Sequence, residues 1–119
     1  VARILVLDDV PDAVVLIQKI LTRKGHEVAG FTEEEEAISY ARAHPVDLAV
    51  LDIKLKKMSG IEVLGELKRI NPSTKVMMLT GYPTLATARE AVQLGAGDYC
   101  VKPIEKQELE EKVAALLNQ

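Results

Sequence analysis

Ile4-Leu5-Val6-Leu7-Asp8-Asp9 decides how the rest of the chain is read. Four apolar residues run directly into two adjacent carboxylates. An unbroken apolar run is the mark of a strand in a parallel sheet that helices cover on both faces. Two further runs end on charge in the same way. Leu48-Ala49-Val50-Leu51 runs into Asp52, and Tyr99-Cys100-Val101 runs into Lys102-Pro103. Each charge then lies at the C-terminal end of a strand, the edge where open α/β sheets bind ligands. Three carboxylates and one ammonium, scattered along the sequence, are expected to meet in one place.

Working outward, strand-like runs alternate with helix-like stretches five times. The strands are expected at Arg3–Leu7, Glu27–Phe31, Leu48–Leu51, Lys75–Leu79 and Asp98–Val101. The second and fifth are shorter or more polar and read as sheet edges. Helices are expected to begin near Pro11, Glu33, Gly60, Pro83 and Lys106. Pro11 and Pro83 suit a first helical turn, where a missing N–H costs nothing. Thr32 with Glu35 reads as a capping box, and Ser59 as a cap for the third helix. Gly25 and Gly95 read as helix stops. Leu109, Val113, Leu116 and Leu117 fall at helical spacing and make one apolar stripe. Regular βα alternation implies a parallel sheet with right-handed crossovers.

The 119 residues suffice for one domain with a real core and are too few for two. Hydrophobic residues make up 48%, an ordinary globular fraction. The net charge of −3, with no Lys/Arg block, argues against nucleic-acid binding by this domain. No apolar run approaches the ~20 residues that span a bilayer, and no signal peptide is legible. A single cysteine excludes an internal disulfide and suits a reducing cytoplasm. A start at Val1 rather than Met reads as an excised domain.

Converging carboxylates repel. At ~5 Å and an effective dielectric of ~20, each pair costs ~3 kcal/mol. The cluster Asp8, Asp9 and Asp52 therefore calls for a cation. Hard oxygen ligands favour Mg²⁺ or Mn²⁺ over zinc. His26 and His44 fall at no ligand spacing. A carboxylate-bound metal open to water is a good receiver for a phosphoryl group. Thr80, at the end of the fourth strand, places a hydroxyl donor in the same crevice. Simpler roles exist for each residue taken singly. Asp9 could cap a helix, Asp52 start a turn, Thr80 serve as a strand-end turn residue, Lys102 be a solvated loop residue and Tyr99 a core aromatic with a wet hydroxyl. Their common placement at one sheet edge favours a site.

With these residues in view, the chain resembles, over its full length, the receiver domain of two-component response regulators of the chemotaxis-regulator kind. The matching pieces are ILVLDD at Ile4–Asp9, LAVLDIKLKKMSGIEVL at Leu48–Leu64, VMMLTGY at Val76–Tyr82 and LGAGDYCVKPI at Leu94–Ile104. Each is weak alone; their order and spacing are specific. The resemblance implies a flavodoxin-like (βα)₅ fold, doubly wound, with strand order 2-1-3-4-5. It implies Asp52 as phosphoacceptor for a sensor histidine kinase. Asp8, Asp9, Asp52 and the main-chain carbonyl of Lys54 would hold Mg²⁺. Lys102 would pair with the phosphoryl group across a cis Lys102-Pro103 junction. Thr80 and Tyr99 would form the switch pair. Signal would leave by the face of the fourth helix, fifth strand and fifth helix, through a homodimer carrying Arg89, Glu108 and Glu111 or through an output domain beyond Gln119. No membrane role is implied.

The sequence departs from the family mainly in the loop after Asp52, and once after Lys102-Pro103. Lys56 stands where receivers usually have proline, Ser59 where Asp or Asn precedes the loop glycine, and Ile104 where phenylalanine follows Lys-Pro. Lys54, Lys56 and Lys57 make that loop basic. The Lys54 side chain is expected at the mouth of the site, either as a solvated lysine or with its ammonium leaning over Asp52. Two other readings compete. A phosphatase of the haloacid-dehalogenase kind would carry a second acid where Lys54 stands. A pseudo-receiver would lack one of the acids or the lysine, and none is missing.

Overall fold

A computed structural model describes residues 1–119. The chain alternates without exception: β1 (Arg3–Leu7), α1 (Pro11–Arg23), β2 (Glu27–Phe31), α2 (Glu34–Ala43), β3 (Leu48–Leu51), α3 (Gly60–Ile70), β4 (Lys75–Thr80), α4 (Leu85–Gln93), β5 (Asp98–Val101) and α5 (Lys106–Leu117). All strand pairs are parallel, in the order β2-β1-β3-β4-β5. This is the doubly wound, flavodoxin-like arrangement implied above, with β2 and β5 at the edges.

Alternation along the three central strands sends side chains to two cores. Leu5, Leu7, Leu51, Met78 and Tyr99 pack against α2, α3 and α4. Ile4, Val6, Val50, Met77 and Leu79 pack against α1 and α5, where Leu109, Val113 and Leu116 form the anticipated stripe. Residues buried on both faces thus explain the unbroken apolar runs. No helix is long and apolar enough to cross a membrane.

The helix ends follow local chemistry. Gly25 and Gly95 adopt φ of 90° and 96° just past α1 and α4, a left-handed conformation that ends a helix at little cost to glycine. Pro11 is the first residue of α1. Ser59 caps α3 by accepting from Ile61 N–H at 3.1 Å.

Two expected starts are corrected. Thr32 and Glu35 form no capping box; Glu33 is the N-cap of α2 and makes no side-chain cap bond. Pro83 lies outside α4, because Thr84 takes the cap by accepting from Thr87 N–H at 3.0 Å. A threonine hydroxyl that satisfies a free helical N–H fixes the start more firmly than a tolerated proline does.

Candidate functional site

Parallel pairing brings the ends of β1, β3, β4 and β5 to one edge. Asp52 N–H donates to Leu7 O at 3.0 Å, and Lys102 N–H donates to Thr80 O at 2.8 Å. The sheet ladder therefore continues into the charged residues and fixes their main chains. One carboxylate oxygen each from Asp8, Asp9 and Asp52 lies within 4.8 Å of the others. Asp8 and Asp52 are buried, at 2% and 7% exposure, while Asp9 is half-buried.

Each buried carboxylate is held at both oxygens. Asp8 Oδ1 accepts from Val10 N–H at 2.9 Å, and Asp52 Oδ1 accepts from Ile53 N–H at 2.7 Å. Lys102 Nζ donates to Asp8 Oδ2 at 2.5 Å and to Asp52 Oδ2 at 2.9 Å. Burial lowers the affinity of the Lys102 ammonium for its proton. The hydrogen bonds to Asp8 and Asp52 overcome that effect and hold its pKa above the ordinary lysine value. The Lys102-Pro103 peptide is cis. Asp9 makes no helix cap: the N-cap of α1 is Val10. Its carboxylate instead faces the other two, a set of hard oxygen donors that fits Mg²⁺.

Thr80 is fully buried, and its hydroxyl accepts from Tyr82 N–H at 3.1 Å. Tyr99 pairs with Met78 in the register, so it lies on the same sheet face as Thr80. Its hydroxyl reaches α4, 2.8 Å from Thr87 Oγ1 and 3.4 Å from Thr84 N. The two side chains share a face without touching through a hydrogen bond.

Lys54 is exposed, as the solvated reading expects, and does not lean over Asp52. Its ammonium lies 4.4 Å from the centre of the Tyr82 ring and makes no salt bridge to Asp52; Lys102 does that instead. An exposed lysine gains more from an aromatic face within reach than from a carboxylate already neutralised. The β3–α3 loop that bears Lys54 is closed at its base. Gly60 N–H donates to Ile53 O at 2.7 Å, and a Cβ on Gly60 would stand 1.8 Å from the Asp52 carbonyl oxygen. Only glycine permits that approach.

One residue beside the site went unread in the sequence. Glu34 is 1% exposed, and its Oε2 accepts N–H bonds from Lys57 and from Met58, the latter at 2.7 Å. The signal was present. Glu34, Ala37, Ile38 and Ala41 share the buried helical spacing, so one glutamate of the run 33–36 had to point inward.

Comparison with known proteins matches this arrangement. Residues 4–114 match the response regulator receiver domain family. The chain is 37% identical over 107 residues to the transcriptional regulatory protein ZraR of Klebsiella oxytoca, covering 90% of this chain and 24% of that protein. It thus spans about a quarter of that relative's length. With chemotaxis protein CheY of Thermotoga maritima it shares 31% identity over 110 residues, 92% of each chain. A CheY-like receiver domain from Methanospirillum hungatei superposes with a TM-score of 0.93 at 33% identity, over 99% of this chain and 94% of that one. A response regulator from Burkholderia pseudomallei, solved with a phosphorylated aspartic acid, a calcium ion and citrate, gives 0.89 at 31% identity, over 98% and 66%. The chain belongs to the response regulator receiver domains of two-component systems.

Proposed function

We propose that this receiver takes a phosphoryl group from the phosphohistidine of a sensor histidine kinase onto Asp52, with Mg²⁺ as cofactor. The observation that carries the reading is the meeting of Asp8, Asp9, Asp52 and Lys102 at one sheet edge. The phosphorylated aspartic acid and calcium ion of the Burkholderia relative support it. Mn²⁺ suits the same oxygen donors.

Asp52 attacks phosphorus through one carboxylate oxygen. The P–O bond forms as the P–N bond to the kinase imidazole breaks, and the electron pair returns to that nitrogen. Asp8, Asp9, Asp52 and the Lys54 main-chain carbonyl would hold the metal, which when bound supplies positive charge against the phosphoryl oxygens. Lys102 releases its carboxylate contacts and donates to the incoming group, whose nearly two negative charges exceed those of the aspartate it replaces. Thr80 gives up Tyr82 N–H and turns its hydroxyl to a phosphoryl oxygen. That moves the β4–α4 loop, and Tyr99, held by Thr84 and Thr87 of the same region, turns into the space released. Water later attacks phosphorus and returns the carboxylate and inorganic phosphate. The chain then catalyses only its own phosphoryl transfer and slow dephosphorylation, in the cytoplasm.

The α4–β5–α5 face is the output surface in this reading. Leu85, Val92 and Val101 are 68%, 69% and 50% exposed there, beside exposed Arg89, Glu108 and Glu111. A second copy or an output domain beyond Gln119 would use it.

The test uses acetyl phosphate and Mg²⁺ with intact-mass detection. Wild type should gain one phosphoryl group and Asp52→Asn none. Equal labelling of the two would overturn the assignment.

A further inference from the structure

The loop that follows Asp52 rests Leu55 and Met58 on the core but has no main-chain ladder of its own. Between Ile53 and Gly60, no N–H of Lys54 through Ser59 donates to a main-chain carbonyl. The six residues Lys54-Leu55-Lys56-Lys57-Met58-Ser59 contain no proline that would fix their course. The tip is gripped from outside. Glu34, in the first turn of α2, takes the N–H groups of Lys57 and Met58 on a single oxygen, Oε2. Beside it, Glu33 pairs with Lys56 at 3.3 Å, an exposed contact of small worth.

Glu34 is an odd choice if stability alone is served. A buried carboxylate loses hydration and is tolerated only where donors replace it. Here Oε2 has two donors, while Oε1 is buried with no partner. An apolar side chain would fill the position without that loss. Burial raises the Glu34 pKa, yet the N–H groups of Met58, Glu34 itself and Lys57 bring it below the ordinary value, so the group is anionic at neutral pH. A costly charge that fixes two main-chain donors specifies geometry.

We propose that Glu34 is a positioning residue for phosphoryl transfer: by gripping the loop tip from α2 it sets the path of the loop, and with it the Lys54 carbonyl offered to the metal. The inference rests on the assignment of Asp52 and Lys54 given above. It makes the cofactor affinity of the β3 edge depend on a residue of α2 that touches neither metal nor phosphoryl group.

Wild type, Glu34→Gln and Glu34→Leu are compared by three measurements. These are calorimetric titration with Mg²⁺, the rate of labelling by acetyl phosphate, and hydrogen exchange of peptides covering residues 53–60. Glu34→Leu should keep its fold and lose about tenfold in Mg²⁺ affinity, as removal of an outer-sphere support does. It should label more slowly and exchange faster at Lys57 and Met58. Glu34→Gln, whose amide oxygen accepts the same two N–H groups, should recover most of the loss. Affinity and labelling of Glu34→Leu within about twofold of wild type would overturn the inference, since that is below the cost of a lost support. If the leucine variant does not fold, Glu34→Asp decides: its carboxylate is one methylene short, and undiminished Mg²⁺ affinity would refute the role. A wild type that takes no label overturns the phosphoacceptor reading and this inference with it. A labelled wild type with an unaffected Glu34→Leu overturns the inference alone.

Discussion

Lys102 Nζ donates to Asp52 Oδ2 at 2.9 Å, joining the ends of two strands that are not neighbours in the sheet. The same ammonium reaches Asp8, so one cation neutralises two buried carboxylates. Breaking a fully buried pair costs roughly 3–5 kcal/mol; the Lys102 side chain is 27% exposed, which reduces that figure. Lys102→Met should therefore lose about 2 kcal/mol in urea melts at pH 7. The Lys102 pKa is raised in the fold. Its contribution is complete below the unfolded value of ~10.4 and fades as pH rises through the higher folded value. The two chains should thus converge only in strongly alkaline solution. Equal stability at pH 7 would contradict the pairing.

Saturating Mg²⁺ should stabilise the wild type. At ~100 times its dissociation constant, a ligand of the folded state adds ~2.7 kcal/mol. Asp9→Asn should weaken that response, because Asp9 is the half-buried member of the cluster and caps nothing. Thermal melts with and without the ion make the comparison. An unresponsive wild type would mean that the cluster holds no metal.

Gly60→Ala tests how the loop is closed. The added Cβ meets the Asp52 carbonyl at 1.8 Å, a main-chain atom that cannot swing aside. Overpacking of this kind costs about 1–3 kcal/mol. The shift falls on the residue that would carry the phosphoryl group, so labelling by acetyl phosphate should slow as well. A variant with wild-type melting and labelling would show that the strand end yields freely.

The central strands were legible because burial on both faces leaves no room for polar residues. Ile4–Leu7 and Leu48–Leu51 could be read residue by residue, and the charges that end them marked the site. Helix starts were read less well. Pro83 and Thr84 both suit a start, and sequence alone does not say which N–H the Thr84 hydroxyl will satisfy. The two readings of Lys54 stayed open in the sequence because the side chain it rests on, Tyr82, arrives from another loop. Glu34 hid within a run of four glutamates that looks like a solvated helix start. Tertiary contact decides such cases.

Tyr99→Phe removes the hydroxyl that reaches Thr87 and Thr84 N. The start of α4 should become more mobile, with faster hydrogen exchange in residues 83–88, at a cost near 1 kcal/mol. On the same face, a phosphoryl mimic with Mg²⁺ should drive dimerisation detectable by sedimentation. Leu85→Glu, which puts charge on an exposed apolar residue, should abolish the dimer. A wild type that stays monomeric with the mimic would leave a different partner as the receiver of the signal.

The Lys54 ammonium rests on Tyr82, a contact worth about 0.5–1 kcal/mol at an exposed site. A phosphoryl group on Asp52 offers more. At ~6 Å and an effective dielectric of ~20, the attraction is ~3 kcal/mol before salt reduces it. The ammonium should therefore leave the ring when Asp52 is phosphorylated and cover the side from which water attacks. Lys54→Asn removes that cover and should shorten the lifetime of the acyl phosphate, more so at low salt than at high. Because Lys54 does not neutralise Asp52 beforehand, the same variant should leave stabilisation by Mg²⁺ unchanged. Dephosphorylation of the two chains is followed side by side at low and high salt. Rates that agree at both would show that the lysine serves Tyr82 alone.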